Sequence, residues 1–252
     1  MTVNEALFNY CLRLGDNSLI LSHRLSEWTG KAPILEEDLA ITNIALDKLG
    51  QARFLLQYAA QLEGKGKTED DLAYKRSERE FYNSLLVEQP NGDFSFTMAR
   101  QLLNDVFDFF LYEELTKSTN EPLASLAAKS LKEIKYHLRH CSEWIIRLGD
   151  GTEESHSRIQ NSLNELWAYT GELFEMNEID SVLIKENSVP DVSKLKPKWN
   201  NMLCEIFEKA TLKKPEDGFM HTGSRKGIHS EYLGFILAEM QYLPRAYPSA
   251  TW

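Results

Sequence analysis

The stretch Ser130–Leu148 (SLKEIKYHLRHCSEWIIRL) constrains this chain most, because its apolar residues recur at spacings of three and four. That spacing places them on one face of an α-helix. The members of this face are Leu131, Ile134, Leu138, Cys141, Ile145 and Leu148. Glu133 and His137 lie four residues apart on a neighbouring line of the same helix, so they face nearly the same way. A carboxylate and an imidazole at the edge of an apolar stripe indicate either a metal site or a buried ion pair.

The same periodicity recurs along the whole chain, whereas strand alternation is not convincing anywhere. We predict long helices over residues 5–29, 38–63, 94–117 and 121–148, and shorter ones over 69–88, 153–174, 197–212 and 228–243. Asp38 is the expected N-cap of the second helix. Four long amphipathic helices near the N-terminus indicate a helix bundle with appended helices. We therefore predict one all-α domain over residues 1–252, with a core bundle over about 5–148 and added helices over 152–246.

Composition excludes several classes of partner. A formal net charge of −10 argues against nucleic acid and anionic membranes. No apolar run reaches the ~20 residues that a membrane-spanning helix needs, and no secretory signal is visible at the N-terminus. The cysteines Cys11, Cys141 and Cys204 form an odd set without a CxxC motif. A cytoplasmic protein with reduced thiols is the prediction.

Polar residues that interrupt apolar helix faces are the candidates for a metal site, because a bundle core is a recognised place for metals. They are Asp47 on the second long helix, Asp105 on the third, and Glu133 and His137 on the fourth. Asp16 interrupts a similar line on the first helix. A carboxylate-bridged di-iron centre needs a carboxylate from each of two helices and Glu-x-x-His from each of the other two.

That requirement is not met in the sequence. Asp47 is followed by Gly50, and Glu133 by Tyr136, where a di-iron site would need histidine. The only Glu-x-x-His is Glu153/His156, which we expect in an exposed first helical turn. Two hypotheses stay open: a polar seam of paired charges, or a degenerate metal-dependent oxidoreductase that uses the four candidates. Partners for a seam would come from Lys48, Arg100, Lys129, Lys135 and His137.

Five segments together resemble the C-subunit family of the bacterial ring 1,2-phenylacetyl-CoA epoxidases, in order and nearly from end to end. They are RLGDNSLILSHRLSEW (13–28), DLAITNIALDKLGQAR (38–53), LVEQPNGDF (86–94), KEIKYHLRH (132–140) and GIHSEYLGFILAEMQYL (227–243). The resemblance implies a ferritin-like four-helix bundle core. It also implies that this chain is a structural, non-catalytic subunit, stabilising a homologous subunit that holds a di-iron centre and epoxidises the ring of phenylacetyl-CoA.

The resemblance implies no cofactor in this chain. Electrons would come from NADPH through a reductase subunit that carries flavin and iron–sulfur groups. The expected partners are the catalytic subunit and the other subunits of the complex, with phenylacetyl-CoA contacted through the complex. One face of the fold should stay apolar to bind the catalytic subunit, so the isolated chain is expected to self-associate as a homodimer or larger species.

The wall of an acyl-CoA site needs cations, amide groups and an aromatic face. The segment YKRSEREFYN (74–83) has this mixture, with Arg76 and Arg79 three residues apart. The alternative for this segment is a solvated charged helix whose aromatic end packs on the bundle. A weaker candidate follows the acidic run near residue 180. The candidate contacts are Glu80, Phe81, Tyr82 and Asn83, and Leu183, Ile184 and Lys185.

Overall fold

A computed structural model describes residues 1–250, and within that range every regular element is helical. The all-α prediction is therefore confirmed. The α-helices are α1 Val3–Ser26, α2 Leu35–Glu63, α3 Glu69–Tyr74, α4 Leu85–Glu88, α5 Phe94–Leu115, α6 Glu121–Gly149, α7 Glu153–Leu166, α8 Glu178–Lys185, α9 Lys196–Lys209, α10 Glu231–Met240 and α11 Tyr242–Ala246. Short 3₁₀ helices cover Glu78–Glu80, Trp167–Tyr169, Gly171–Phe174, Val192–Leu195 and Ser224–Lys226.

The chain divides into two compact units. Among the described residues, the first unit is Met1–Pro90 together with 222–250, and the second unit is Asn91–His221. We predicted a single domain over residues 1–252, of which the last two residues lie outside the described range. The boundary at residue 90 does not follow the predicted partition into a core bundle over 5–148 and added helices over 152–246.

In the first unit, α1 and α2 form an antiparallel pair. The hydroxyl of Ser22 donates to the carbonyl of Ala45 over 2.8 Å. A Cβ built on Gly15 would lie 3.0 Å from Leu56 Cδ2, so glycine lets the two helices approach closely at this crossing. Apolar residues of both helices are buried along the contact. Burial of these side chains is the main favourable term in the stability of the pair.

In the second unit, α5, α9 and the 3₁₀ helices at Trp167–Tyr169 and Gly171–Phe174 contribute to a cluster of aromatic rings. The ring centroids of Trp167 and Trp199 are 5.3 Å apart, and Phe174 meets Trp199 edge to face at 5.4 Å. The indole Nε1 of Trp199 donates to the carbonyl of Leu103 over 3.0 Å, so the buried polar edge of this ring is satisfied. Gly149 at the end of α6 lies against the carbonyl of Ala210, where a Cβ has no room.

The second helix begins earlier than predicted, at Leu35 rather than Asp38. Its N-cap residue Ile34 makes no side-chain cap. The Asp38 carboxylate instead accepts a hydrogen bond of 2.6 Å from the backbone N–H of Gly30. The prediction of Asp38 as a helix cap is therefore wrong, because the carboxylate stabilises the preceding turn.

The single helix predicted over residues 69–88 is also wrong. Helix α3 ends at Tyr74, a 3₁₀ turn follows at Glu78–Glu80, and α4 begins only at Leu85. Other elements differ as well. The helix predicted over 153–174 ends at Leu166 and is followed by two 3₁₀ helices, and the helix predicted over 228–243 starts at Glu231. Helix α8 lies in a region where no helix was predicted.

Candidate functional site

Asp47, the metal-ligand candidate on α2, belongs to the first unit and is half-buried. Gly50, one turn further on, lies exposed on the outside of α2, with nothing within 4 Å of a Cβ built on it. The position that would carry histidine in a Glu-x-x-His pair is therefore a solvent-facing glycine.

Asp105, the candidate on α5, is fully buried in the second unit. Its Oδ2 accepts a hydrogen bond of 2.8 Å from Nε2 of Gln101 and a longer one of 3.8 Å from Sγ of Cys141. Burial raises the pKa of the Cys141 thiol well above its ordinary value, and the Asp105 carboxylate raises it further. The thiol is therefore protonated and serves as a donor rather than as a thiolate ligand.

Glu133 and His137, the candidates on α6, have different surroundings. His137 is fully buried, and the ring of Tyr136 lies 6.2 Å from its imidazole. Glu133 is only half-buried. His137 is thus buried as a polar seam would require, whereas Glu133 is only partly so, and the coupling of the two side chains to such a seam stays a prediction.

The residues present do not fit a di-iron centre. Within residues 1–250, no three or more His, Cys, Asp and Glu side chains are grouped as a metal would require. Glu153 is exposed at the first turn of α7, and Nδ1 of His156 is hydrogen-bonded to the carbonyl of Gly149 over 2.7 Å. The predicted placement of this pair at a helix start is confirmed.

A buried ion pair holds the segment 74–83, which contains the stronger candidates for CoA contact. The guanidinium of Arg76 donates from Nη1 to Asp16 Oδ2 over 3.0 Å and from Nη2 to the other carboxylate oxygen. The same Asp16 Oδ2 accepts the backbone N–H of Tyr82 over 3.0 Å. Burial raises the pKa of the Asp16 carboxyl, whereas Arg76 opposes that rise by stabilising the charged form. Arg76 is therefore an internal structural cation and does not lie with Arg79 on one helical face.

A second buried acid–base pair joins the same segment to the C-terminal part of the first unit. Nδ1 of His229 lies 2.9 Å from Glu88 Oε2, and its Nε2 lies 2.8 Å from the carbonyl of Phe81. Glu88 also accepts the Ser230 N–H over 2.7 Å and the Asn83 amide over 3.0 Å. Because the Phe81 carbonyl can only accept, His229 Nε2 must carry a proton. Both side chains of the pair are fully buried.

Sequence reasoning missed this pair. Glu88 follows the apolar residues Leu85, Leu86 and Val87, and a carboxylate within such a run is a signal that could have identified it. His229 offers no comparable signal, since its partner is 141 positions away in the chain.

The four candidate contacts at residues 80–83 divide by exposure. Phe81 and Asn83 are fully buried, Tyr82 is half-buried and Glu80 is exposed. The face of the Phe81 ring lies 4.2 Å from the guanidinium carbon of Arg76. In the isolated chain, only Glu80 and Tyr82 can therefore reach a ligand directly, and their contact with CoA stays a prediction.

The weaker candidates lie at the end of α8 in the second unit. Leu183 is fully buried, Ile184 is half-buried and Lys185 is exposed. Of these three residues, Lys185 is therefore the one whose charged side chain a ligand could contact.

Two comparisons relate the chain to known proteins. The sequence matches the family described as "Phenylacetic acid catabolic protein" over residues 2–252. It is also 49% identical over 243 residues to a protein of Escherichia coli (strain K12) that is named as the C subunit of 1,2-phenylacetyl-CoA epoxidase. That alignment covers 96% of this chain and 98% of the relative. The match and the helical structure together confirm the predicted all-α, ferritin-like fold class. No helix within residues 1–250 is both long and apolar enough to cross a bilayer.

Proposed function

Because the chain belongs to the phenylacetic acid catabolic protein family, we propose that it is the structural, non-catalytic subunit of a phenylacetyl-CoA epoxidase complex. Its role is to stabilise a homologous catalytic subunit that binds the di-iron centre. The observation that carries the proposal is the end-to-end similarity, at 49% identity, to a chain named as the C subunit of such an epoxidase.

The surroundings of the metal-ligand candidates on α2 and α5 support a structural role for this chain and a catalytic role for its partner. The Asp105 carboxylate accepts hydrogen bonds from Gln101 and Cys141, and position 50 on α2 has no side chain to offer. Both hydrogen bonds reach Oδ2 of Asp105, and such contacts stabilise a buried carboxylate oxygen without a metal ion. In this proposal the epoxidation steps occur on the partner, so no residue of this chain is assigned a catalytic role.

Co-expression with the catalytic homologue, followed by affinity pull-down and metal analysis, tests the proposal. We expect the two chains to co-purify and iron to partition with the catalytic chain. A second preparation of this chain alone supplies the control for its own metal content. Failure to co-purify would contradict the structural role. Near-stoichiometric iron or manganese in this chain alone, removed by chelator and lost in Glu133→Ala, would instead establish the degenerate oxidoreductase.

The acyl-CoA contact is a finer part of the same proposal. We assign it to Glu80 and Tyr82 at the surface, supported from below by the buried Phe81 and Asn83, with Lys185 as a separate cation. The Asp16–Arg76 pair holds this segment, because Asp16 accepts the backbone N–H of Tyr82. A ligand-contacting segment fixed in this way loses little conformational entropy on binding.

A further inference from the structure

Residues 222–246 of the first unit are hydrogen-bonded to the segment that joins α3 to α4, and we call them the C-terminal strap. At one end of the strap, Gln241 Nε2 and Arg245 Nη2 donate to the carbonyl of Arg76 over 3.0 and 2.9 Å. These donors belong to an uncharged amide and to a guanidinium that keeps its proton. This end of the strap therefore holds in the same way at any moderate pH.

The other end of the strap is held by the buried Glu88–His229 pair. The imidazole reaches Glu88 Oε2 with Nδ1 over 2.9 Å and the carbonyl of Phe81 with Nε2 over 2.8 Å. Gly227, two residues before the histidine, packs against the carbonyl of Arg79, where a Cβ has no room. One titratable ring thus joins the strap both to a side chain and to the backbone of the facing segment.

The hydrogen-bond partners of His229 fix its protons. The Phe81 carbonyl can only accept, so Nε2 carries a proton. The Glu88 carboxylate accepts the backbone N–H of Ser230 over 2.7 Å and the Asn83 amide over 3.0 Å. It acts as an acceptor toward these neighbours, as an ionised carboxylate does, so Nδ1 of His229 is a donor as well. The ring with both nitrogens protonated is an imidazolium.

Charged side chains around the pair come from α1 and from the segment after α3. Arg24 of α1 donates from Nη2 to the backbone carbonyl of Glu88 over 2.8 Å. Asp16 of α1 is paired with Arg76. Burial raises the pKa of the Asp16 carboxyl, whereas Arg76 and His229 act to lower it by favouring its charged form. The attraction is mutual, so the Asp16 carboxylate also favours the charged form of His229.

We propose that the Glu88–His229 pair is a proton-dependent latch that fastens the C-terminal strap to residues 80–88 and releases it when the Nδ1 proton leaves to water. Without that proton, Nδ1 and Glu88 Oε2 are two acceptors placed 2.9 Å apart. Their contact then breaks, because a buried carboxylate without its cation is strongly unfavourable. This inference goes beyond the proposed function and can fail independently of it.

The direction of the pH dependence follows from proton linkage. In the open state His229 faces water and loses its charge around pH 6.5, as an ordinary histidine does. Above about pH 6.5 the latched state therefore binds one proton more than the open state. The latch has its full strength below this pH and weakens as the pH rises, until the latched pair itself releases the proton. One linked proton changes the opening equilibrium about tenfold per pH unit.

Amide hydrogen exchange of the full chain, followed by mass spectrometry, tests the proposal, because protection reports local opening. In peptides covering residues 80–88 and 224–231, we expect protection to fall by about tenfold per pH unit between about pH 7 and 9. The values are corrected for the intrinsic pH dependence of exchange. Peptides from α6 should show no such fall. Protection that stays independent of pH in the first two peptides would overturn the latch.

Two variants of the pair have different expected slopes. His229→Gln removes the titrating ring, so the pH dependence should disappear from both peptides. Glu88→Gln supplies an amide that can donate to an uncharged Nδ1, while Nε2–H still donates to Phe81. A flip of the Asn83 amide presents to this new donor an oxygen that has no hydrogen-bond partner within residues 1–250. In Glu88→Gln, protection should therefore fall as the pH drops below about 6.5, the reverse of the parent.

A histidine of the second unit supplies the matched control. His156 Nδ1 is hydrogen-bonded to the carbonyl of Gly149 over 2.7 Å, so His156→Gln also removes a ring with a backbone partner. This variant should keep the slope of the parent at residues 80–88 and 224–231, and thermal melts show whether each variant folds. Nitrogen NMR of the parent decides the matter where a variant of the pair does not fold. Both ring nitrogens of His229 should carry protons at pH 7, and an unprotonated Nδ1 would contradict the proposal.

Discussion

Buried acids in the two units have different hydrogen-bond partners. In the first unit, the ion pair Asp16–Arg76 and the acid–base pair Glu88–His229 hold the segment between α3 and α4. In the second unit, the hydrogen bonds seen at Asp105 come from an amide and a thiol, and packing is dominated by aromatic rings. The comparison teaches that the irregular segment between α3 and α4 is held by charged groups that lie far apart in the chain.

The largest expected effect follows from breaking the ion pair of the first unit. Arg76→Ala leaves the Asp16 carboxylate buried without its cation, which typically costs about 3–5 kcal/mol of the free energy of unfolding. Chemical denaturation followed by circular dichroism measures the loss. Arg79→Ala is the matched control, because Arg79 is exposed, and it should stay within about 0.5 kcal/mol of the parent. Equal losses in both variants would show that the buried Arg76 contributes no more to stability than the exposed Arg79.

Asp105→Asn sharpens the comparison in the second unit. The amide keeps the shape of the side chain and can still accept from Gln101, so we expect a loss of about 1 kcal/mol. Denaturation under the same conditions gives the value. A loss as large as that of Arg76→Ala would show that the negative charge, rather than hydrogen bonding, stabilises α5, and that both units depend on buried charge.

Substitution of Tyr82 tests whether residues 80–83 of the first unit have a role in acyl-CoA binding. In the reconstituted complex, Tyr82→Ala should weaken acyl-CoA binding about fivefold, corresponding to one lost contact of about 1 kcal/mol. Isothermal titration with phenylacetyl-CoA measures the affinity. Tyr74→Ala, also half-buried in the first unit but outside the candidate set, is the control. An unchanged affinity in an intact complex would leave the segment with a structural role only.

Glu133 should give the smallest effect. From the sequence, a buried Glu133 would cost several kcal/mol when truncated, but the structure leaves this side chain half-exposed. Solvent screens such a carboxylate, so Glu133→Ala should cost about 0.5–1 kcal/mol, with Glu133→Gln closer to the parent. The melting temperatures of the two variants provide the check. A loss of stability comparable to that of Arg76→Ala would show that Glu133 belongs to a buried polar network.

The long helices could be predicted from sequence because their apolar faces repeat locally. Helix α6 was predicted to end at residue 148 and ends at Gly149, and α5 was predicted to begin at Phe94, as it does. Glycine and turn residues mark those boundaries directly in the sequence. Periodicity, which spans only a few residues, is sufficient evidence for elements of this kind.

The break after α3 could not be predicted in the same way. The carbonyl of Arg76 accepts hydrogen bonds from Gln241 and Arg245, over 3.0 and 2.9 Å, so it is unavailable to a continuing helix. A local signal did exist at the next turn, where Ser77 and Glu80 form a capping box. The partners of Arg76 and Glu88 lie too far along the chain for spacing to reveal them.

The first unit is assembled from two separate stretches of the chain, and this has a consequence for its biosynthesis. Glu88 and His229 are 141 positions apart. At a synthesis rate of about 5–20 residues per second, roughly 7–28 s pass between the polymerisation of the two residues. During that interval the ribosome synthesises the whole of the second unit. The stretch that contains His229 is added to the first unit only afterwards. The nascent chain can therefore form the Glu88–His229 pair only after the whole of the second unit has been synthesised.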